Sequence, residues 1–247
     1  MNILGIETTS AFASAAVLDK KGICSEVISD GKLNHLQNLL PMVEEALSKR
    51  GLELKDLDGL AVSRGPGSFT GVRIGMSTVK ALAQVLDVKI AQVPTLFAMA
   101  YGMRNCNGVI CPILNARRNQ VYSAAYRFHG DDYEEIFPEG AYGIQEVGDF
   151  LQPFDKVIFM GDGVEEFQEA VLELLGERAI FAPPEERIQK ASSVAEIGKK
   201  IHLAGSGVDY VTAEPEYLRK SEAERNLEKK QKMEISETQE KEPIRIE

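Results

Sequence analysis

The stretch that most constrains the fold is residues 63–87, SRGPGSFTGVRIGMSTVKALAQVLD, which reads as a strand end, a glycine-rich loop and a helix. Gly65, Pro66 and Gly67 break the backbone after the apolar run 60–62, and Ser68 is placed to cap the helix by accepting a free amide of its first turn. A loop of this kind invites a phosphate-binding reading, and its spacing refuses the two motifs that would support one. Gly71 is followed by Val72 and Arg73 where a Walker A loop needs Gly-Lys-Ser/Thr, and the glycine after Gly65-x-Gly67 arrives one residue late for a dinucleotide fingerprint.

The helix that follows carries more information than the loop. At 100° per residue Arg73, Ser77, Lys80, Gln84 and Asp87 form a polar stripe, and Val72, Met76, Val79, Ala83 and Leu86 an apolar one. A third stripe of Gly71, Gly75, Thr78, Leu82 and Val85, continued by Ile74 and Ala81, widens the non-polar arc beyond the ~100° that covers one core. Two readings stand side by side: a helix sandwiched inside one large core, or a helix whose glycine face admits a helix of another subunit.

The chain of 247 residues is long enough for two domains or one large α/β unit, and its 44% hydrophobic content supplies an ample core. A formal net charge of −10 argues against this chain alone clamping a nucleic-acid backbone, so RNA contact would run through a partner. Three cysteines, Cys24, Cys106 and Cys111, include no Cys-x-x-Cys pair, which fits reduced thiols better than a disulfide framework or zinc site. With no leader pattern and no membrane-length apolar run, the expectation is a soluble cytoplasmic protein without a membrane role.

In chain order, strands are expected at 3–6, 13–18 and 23–28, the last two joined by the turn Asp19-Lys-Lys-Gly22, forming an antiparallel meander. A helix follows over 36–47, ended by Gly51, with a kink or a start near Pro41. The strand at 59–62, the glycine loop and its helix, a strand at 89–93 and a helix from Thr95 towards Met103 complete βββαβαβα. Antiparallel strands followed by parallel strands alternating with helices are the layout of a ribonuclease-H-like unit. A second unit begins with strands at 109–114 and 121–128 around the turn 116–119, and Ser123-Ala-Ala125 echoes Ser14-Ala-Ala16 as a trace of duplication. A strand at 157–160, a helix at 164–175 and a helix to Leu203 capped by Ser192 or Ser193 follow. The division is an N-terminal subdomain 1–104 bearing the partner-binding helices, a C-terminal αβ subdomain 105–220, and a charged tail 221–247 expected to be disordered.

Ile6-Glu7-Thr8, His35-x-x-x-Leu39-Leu40-Pro41, the block from Arg64 through Arg73 to Gly75, Gln120-Val-Tyr122 and Pro215-x-Tyr217-Leu-Arg219-x-Ser221-Glu-Ala-Glu224 together resemble the bacterial TsaB (YeaZ) family, from Met1 to Arg225. The resemblance implies a duplicated actin/Hsp70-like (ASKHA) fold of mixed sheets flanked by helices. It implies a part in attaching threonylcarbamoyl to N6 of adenosine 37 in tRNAs that read codons starting with A, beside a TsaD-like catalytic subunit and a TsaE-like ATPase, with tRNA reached through the complex. In the catalytic paralogue TsaD a helix presents two histidines four apart to a metal; those places are Thr95 and Met99 here, a hydroxyl and a thioether that do not replace paired imidazoles.

The resulting expectation is a non-catalytic pseudoenzyme: a dimerisation platform for the TsaD-like subunit that forms a homodimer when alone. The expected interface is His35, Leu36, Leu39 and Met42 on the first helix with Gly71, Ile74, Gly75, Thr78, Leu82 and Val85 on the second, giving a four-helix contact. Glu7, at the strand end where actin-like enzymes hold a nucleotide's metal or water, is a candidate nucleotide contact with Thr8, Arg64 and Arg73; its other reading is a residue that satisfies the Thr8-Thr9 turn. Asn115 stands at the matching place of the second hairpin, where relatives often carry aspartate, so one carboxylate is missing. No metal site and no tightly held cofactor is expected, with ATP or ADP at the partner interface as the one nucleotide possibility. The competing class is an enzyme, an actin-like phosphotransferase or a peptidase acting on the partner. Neither a phosphate loop nor a nucleophile–base pair can be assembled from the spacing, and His35, His129 and His202 stand far apart in sequence.

Overall fold

A computed structural model describes residues 1–31, 34–130 and 132–219. Met1–Glu216 forms one compact unit built on two five-stranded sheets. The first contains β1 (Ile3–Glu7), β2 (Ser14–Leu18), β3 (Cys24–Ile28), β4 (Gly59–Gly65) and β5 (Ile90–Pro94) in the order β3-β2-β1-β4-β5. The second contains β6 (Val109–Asn115), β7 (Gln120–His129), β8 (Asp132–Gly143), β9 (Val157–Met160) and β10 (Ala179–Phe181) in the order β10-β9-β6-β7-β8. Read from opposite edges the two orders are identical, and so are the pairings: β1 and β6 are each antiparallel to the strand after them and parallel to β4 and β9. The chain is therefore a duplicated ribonuclease-H-like α/β fold.

The helices repeat as well. α1 (His35–Ser48), α2 (Phe69–Leu86) and α3 (Thr95–Gly102) in the first half match α4 (Ile144–Leu151), α5 (Gly163–Leu175) and α6 (Ala191–Leu203) in the second. Side chains alternate along β1, so Leu4 and Ile6 join Leu60, Val62, Leu39, Val43, Met76 and Val79 under α1 and α2, while Ile3 faces α6 on the other side. Burial of both faces is why these strands read as unbroken apolar runs.

The two halves interlock across residue 104. Each half ends in a helix that crosses over: α3 packs Leu96, Met99 and Ala100 on Ile110, Leu114 and Ala124 of the second sheet, and α6 lies on β1, β2 and β4 of the first. Small residues set the closeness of α6. A Cβ added at Gly5 would sit 2.5 Å from the Ala191 carbonyl and 2.9 Å from the Ala195 Cβ, and Gly198 lies against Ala61. α6 is not capped by Ser192 or Ser193; its first two amides are taken from a distance, Ala191 N donating to Ser14 Oγ at 2.8 Å and Ser192 N to Glu26 Oε1 at 2.9 Å.

Two further expectations are corrected, and one strand is added. α1 runs through Pro41 from His35, so Pro41 does not start it. The Ser-Ala-Ala echo is two residues out of register, because Ser14 pairs with the strand-end Glu7 whereas Ser123 pairs with Ile113, two short of Asn115. Residues 132–143, which carry Pro138 and no clean alternation, form the edge strand β8, where a missing amide is tolerated. The tail 221–247 lies outside the described residues.

Candidate functional site

The glycine block of β4 and α2 meets the end of β1, and hydrogen bonds lock the two loops together. Glu7 is fully buried; one carboxylate oxygen accepts from Thr9 N at 2.5 Å and the other from Ser63 Oγ. Burial pushes its carboxyl up from the ordinary range, and the bonds from Ser63, Thr9 and Thr8 hold it down. Thr8 Oγ1 donates to Gly71 O at 2.7 Å, Ser68 N donates to Thr9 O at 2.7 Å, and Ser68 Oγ accepts from Gly71 N at 3.3 Å as the cap. Of the two readings of Glu7, the geometry matches the one that satisfies the Thr8-Thr9 turn.

Behind the loop runs a strap that sequence reasoning left unexplained. Val208 and Ile90 exchange backbone bonds of 2.9 Å along the free edge of β5, Lys80 Nζ donates to Ala213 O at 2.9 Å, and Gln92 Nε2 donates to Glu214 O at 2.5 Å. Glu216 N donates to Arg64 O at 2.7 Å, and Arg64 Nε lies 2.7 Å from Glu216 Oε2, an ion pair too bent to count as a hydrogen bond. The left-handed Gly65 (φ 119°) is needed here, because a Cβ would run into the Glu216 carbonyl. Arg64 thus braces the C-terminal strap, while Arg73 is exposed with its guanidinium over the Phe69 ring.

The expected interface residues divide into two sets. His35, Leu39, Met42, Gly71 and Gly75 are buried within this chain, which corrects their placement on an outward face. His35 Nε2 lies 2.8 Å from Ser10 O, and Leu39 and Met42 belong to the core. The glycines meet the chain's own Thr8: a Cβ at Gly71 would lie 3.0 Å from the Thr8 carbonyl carbon with the oxygen nearer still, and one at Gly75 would overlap Thr8 Oγ1. The other set faces outward. Leu36 is 77% and Val85 83% exposed, while Ile74, Thr78 and Leu82 are half-buried along the same stripe of α2, Ile74 and Leu82 with one side against the core. The expected interface left out Leu40 (51% exposed) and Ala81, the latter already on the non-polar arc of α2 and both on the same helical period.

At the matching end of the second sheet, Asn115 donates from N to Asp162 Oδ1 at 2.9 Å and from Nδ2 to Glu166, and accepts from Arg117 N at 2.7 Å. The turn it starts puts Arg117, Arg118 and Asn119 at φ of 61°, 58° and 60°, a left-handed run that costs ~1 kcal/mol or more for each side-chain-bearing residue. Thr95 and Met99 are buried, Thr95 Oγ1 without a hydrogen-bond partner. Met99 lines a cavity of about 290 Å³ between α3 and α6 with Met103, Met160 and Ser193, at whose rim Arg104 pairs with Glu196 at 2.8 Å and Lys190 with Glu186 at 2.6 Å. Thr95 and Met99 do not fit a metal that needs paired imidazoles, and among the described residues no three His, Cys, Asp or Glu side chains converge on a common point. No described helix is long and apolar enough to cross a membrane.

Residues 14–227 match the family model of TsaD, tRNA N6-adenosine threonylcarbamoyltransferase. The tRNA threonylcarbamoyladenosine biosynthesis protein TsaB of Bacillus subtilis (strain 168) is 32% identical over 225 residues, 91% of this chain and 96% of that protein. Its namesake in Escherichia coli (strain K12) is 30% identical over 238 residues, 92% of this chain and 98% of the relative. The structure of YeaZ from Pseudomonas aeruginosa superposes with a TM-score of 0.73 at 26% identity, covering 88% of this chain and 99% of that one. Identity at this level over nearly the whole length of both partners, on a shared duplicated fold, means that the chain belongs to the TsaB (YeaZ) family.

Proposed function

We propose that this chain is the non-catalytic platform of the assembly that forms threonylcarbamoyladenosine in tRNA, holding a TsaD-like catalytic subunit through α1 and α2. The observation that carries the proposal is the outward stripe of Ile74, Thr78, Ala81, Leu82 and Val85 on α2, with Leu36 and Leu40 on the neighbouring α1. Ile74 and Leu82 also lean on this chain's core, but Leu36, Leu40, Ala81 and Val85 are left in solvent beside them, and a helix pair from a partner would cover them. The same self-complementary surface would serve a homodimer when the partner is scarce. The non-catalytic half of the proposal is supported by Thr95 and Met99 standing where the paralogue's histidines are expected, and by a Glu7 carboxylate enclosed by Thr9 and Ser63. Any ATP or ADP would then be held jointly with the partner.

Val85→Glu tests the interface, since a charge on a side chain this exposed leaves the monomer folded. The expected result is loss of TsaD-like subunit binding and of tRNA modification in a mixture with that subunit, a TsaE-like ATPase and threonylcarbamoyl-adenylate. Full binding by this variant overturns the interface, and ATP turnover or proteolysis by the purified chain overturns the non-catalytic role.

A further inference from the structure

The far end of the second sheet from Asn115 holds a cavity of about 340 Å³ that the platform role does not use. It is walled by the loop before β6, the end of β7 and the loop before β9, and it gathers Arg127, His129 and Lys156 in a chain whose net charge is −10. Of the two permanent cations Arg127 is half-buried and Lys156 exposed. Arg127 lies with its guanidinium 5.2 Å from the centre of the Phe154 ring and forms a long, solvent-exposed ion pair of 3.8 Å with its cross-strand neighbour Glu134, a contact weak enough for a phosphate to compete with. Lys156 is fixed at its backbone, where its carbonyl accepts from Val109 N at 3.0 Å. Its stem crosses Gly108, a left-handed residue (φ 129°) at which a Cβ would stand 2.9 Å from the Lys156 carbonyl oxygen and 3.1 Å from its Cγ. No ion pair to Lys156 is formed among the described residues, and Asp155 is the one acidic side chain in the wall.

We propose that this cavity binds a small phosphorylated metabolite, with Lys156 and Arg127 clamping the phosphate and Asn107 in the same wall. A guanidinium fork takes two oxygens of a phosphate and the ammonium takes a third as a point charge. The volume exceeds the share of liquid occupied by a phosphate-sized group, at ~30 Å³ for each water displaced, and so leaves room for the organic part of an ester. A concave site of this size suits a small molecule better than a nucleic-acid backbone, which needs a broad basic surface that a chain of this charge lacks.

Cys106 is exposed in the cavity wall and provides the readout, while Cys24 is exposed elsewhere, on β3. The experiment measures the rate of Cys106 alkylation by iodoacetamide in the full chain, resolved from Cys24 by peptide mapping. Inorganic phosphate, glycerol 3-phosphate and glycerol are the probes, at ionic strength matched with chloride. Glycerol 3-phosphate should slow Cys106 at least five-fold and saturably, glycerol should have no effect, and Cys24 should keep its rate. Lys156→Met and Arg127→Met, each checked by its melting curve, should each abolish the protection. Stronger protection by inorganic phosphate than by the ester overturns the metabolite assignment. Absence of protection by either phosphate, equal slowing of Cys24, or protection that survives both substitutions overturns the site.

Discussion

Gly71 and Gly75 were candidates for a joint between subunits, and in the fold they form a joint within one, a difference that substitution separates from the interface itself. At Gly75 an added methyl group would have ordinary contacts with Val62 Cγ2 at 3.5 Å and Ile6 Cγ2 at 3.6 Å but would displace Thr8 Oγ1. Moving that hydroxyl breaks its 2.7 Å bond to Gly71 O, a buried loss of ~1–3 kcal/mol. Alanine recovers ~1 kcal/mol of helix propensity, so Gly75→Ala should lose about 1 kcal/mol. At Gly71 the obstacle is the Thr8 carbonyl, and its carbon at 3.0 Å is already inside the ~3.5–4.0 Å optimum for carbon pairs. Backbone cannot rotate aside, so the overpacking cost of ~1–3 kcal/mol adds to the lost bond, and Gly71→Ala should lose about 2 kcal/mol or more. Val85→Glu, at 83% exposure, should stay within ~0.5 kcal/mol of the parent. Urea unfolding followed by circular dichroism gives the stabilities, and titration with the TsaD-like subunit gives the affinities. The two glycine variants should lose stability and, while folded, keep affinity; Val85→Glu should do the reverse. A Gly75→Ala protein as stable as its parent yet unable to bind would return the glycines to the intersubunit joint and refute this reasoning.

Two further outcomes follow from charges inside the fold. Burial, reinforced by Glu216 and Glu135 and opposed by Arg64, pushes the Glu139 carboxyl from an ordinary 4.5 up to about 7. The folded chain therefore holds that proton more tightly than the unfolded one, so stability from this group is full below pH 4.5, falls as pH climbs to 7 and is flat beyond. At ~1.4 kcal/mol per pH unit the fall is at most about 3 kcal/mol, lessened by solvent at this partly exposed site. Glu139→Gln should raise the melting temperature at pH 8 and leave it unchanged at pH 4; an equal gain at both would show that ionisation is not the cause. Glu26 takes Ser192 N and Ser192 Oγ at 2.9 Å each, standing in for the missing cap of α6. Glu26→Ala should cost ~1–2 kcal/mol in urea unfolding, with Glu26→Gln between it and the parent.

The first half of the fold was legible because its signals are local. The apolar runs of β1 and β2, the Ser68 cap and the helical period of α2 are written within a few residues of where they act. What escaped depends on distant partners. The cap of α6 comes from Ser14 and Glu26, more than 160 residues away in sequence, and a reader of the 190s finds only two serines of the right type. β8 escaped because an edge strand with one open side need not alternate, and it tolerates a proline such as Pro138 that a central strand would not. The glycine stripe was read correctly as a close approach, but periodicity gives the direction of a helix face and never the identity of what lies against it. Thr8 lies 63 residues before Gly71, and only the parallel pairing of β1 with β4 brings it there.

The duplication sharpens the functional argument. Glu7 and Asn115 end equivalent strands, and an enzyme working in a cleft between two such ends would keep both available to a ligand. Here each is taken up differently: Glu7 is enclosed by Thr9 and Ser63, and Asn115 is tied to Asp162, Glu166 and Arg117 at the start of a strained turn. Both strand ends serve loops. On the outer layer the twin helices have diverged in the opposite sense, with α2 keeping an apolar stripe that ends in the exposed Val85, whereas the outer face of its counterpart α5 carries Glu165, Glu169 and Glu173 at helical spacing with Leu172 the one large apolar side chain exposed among them. A fold built from two copies of one unit has thus kept an apolar outer helix face in the first copy and a charged one in the second. That asymmetry supports placing the proposed docking face on the first half, and it sets the second half's basic cavity apart as a separate question of ligand binding.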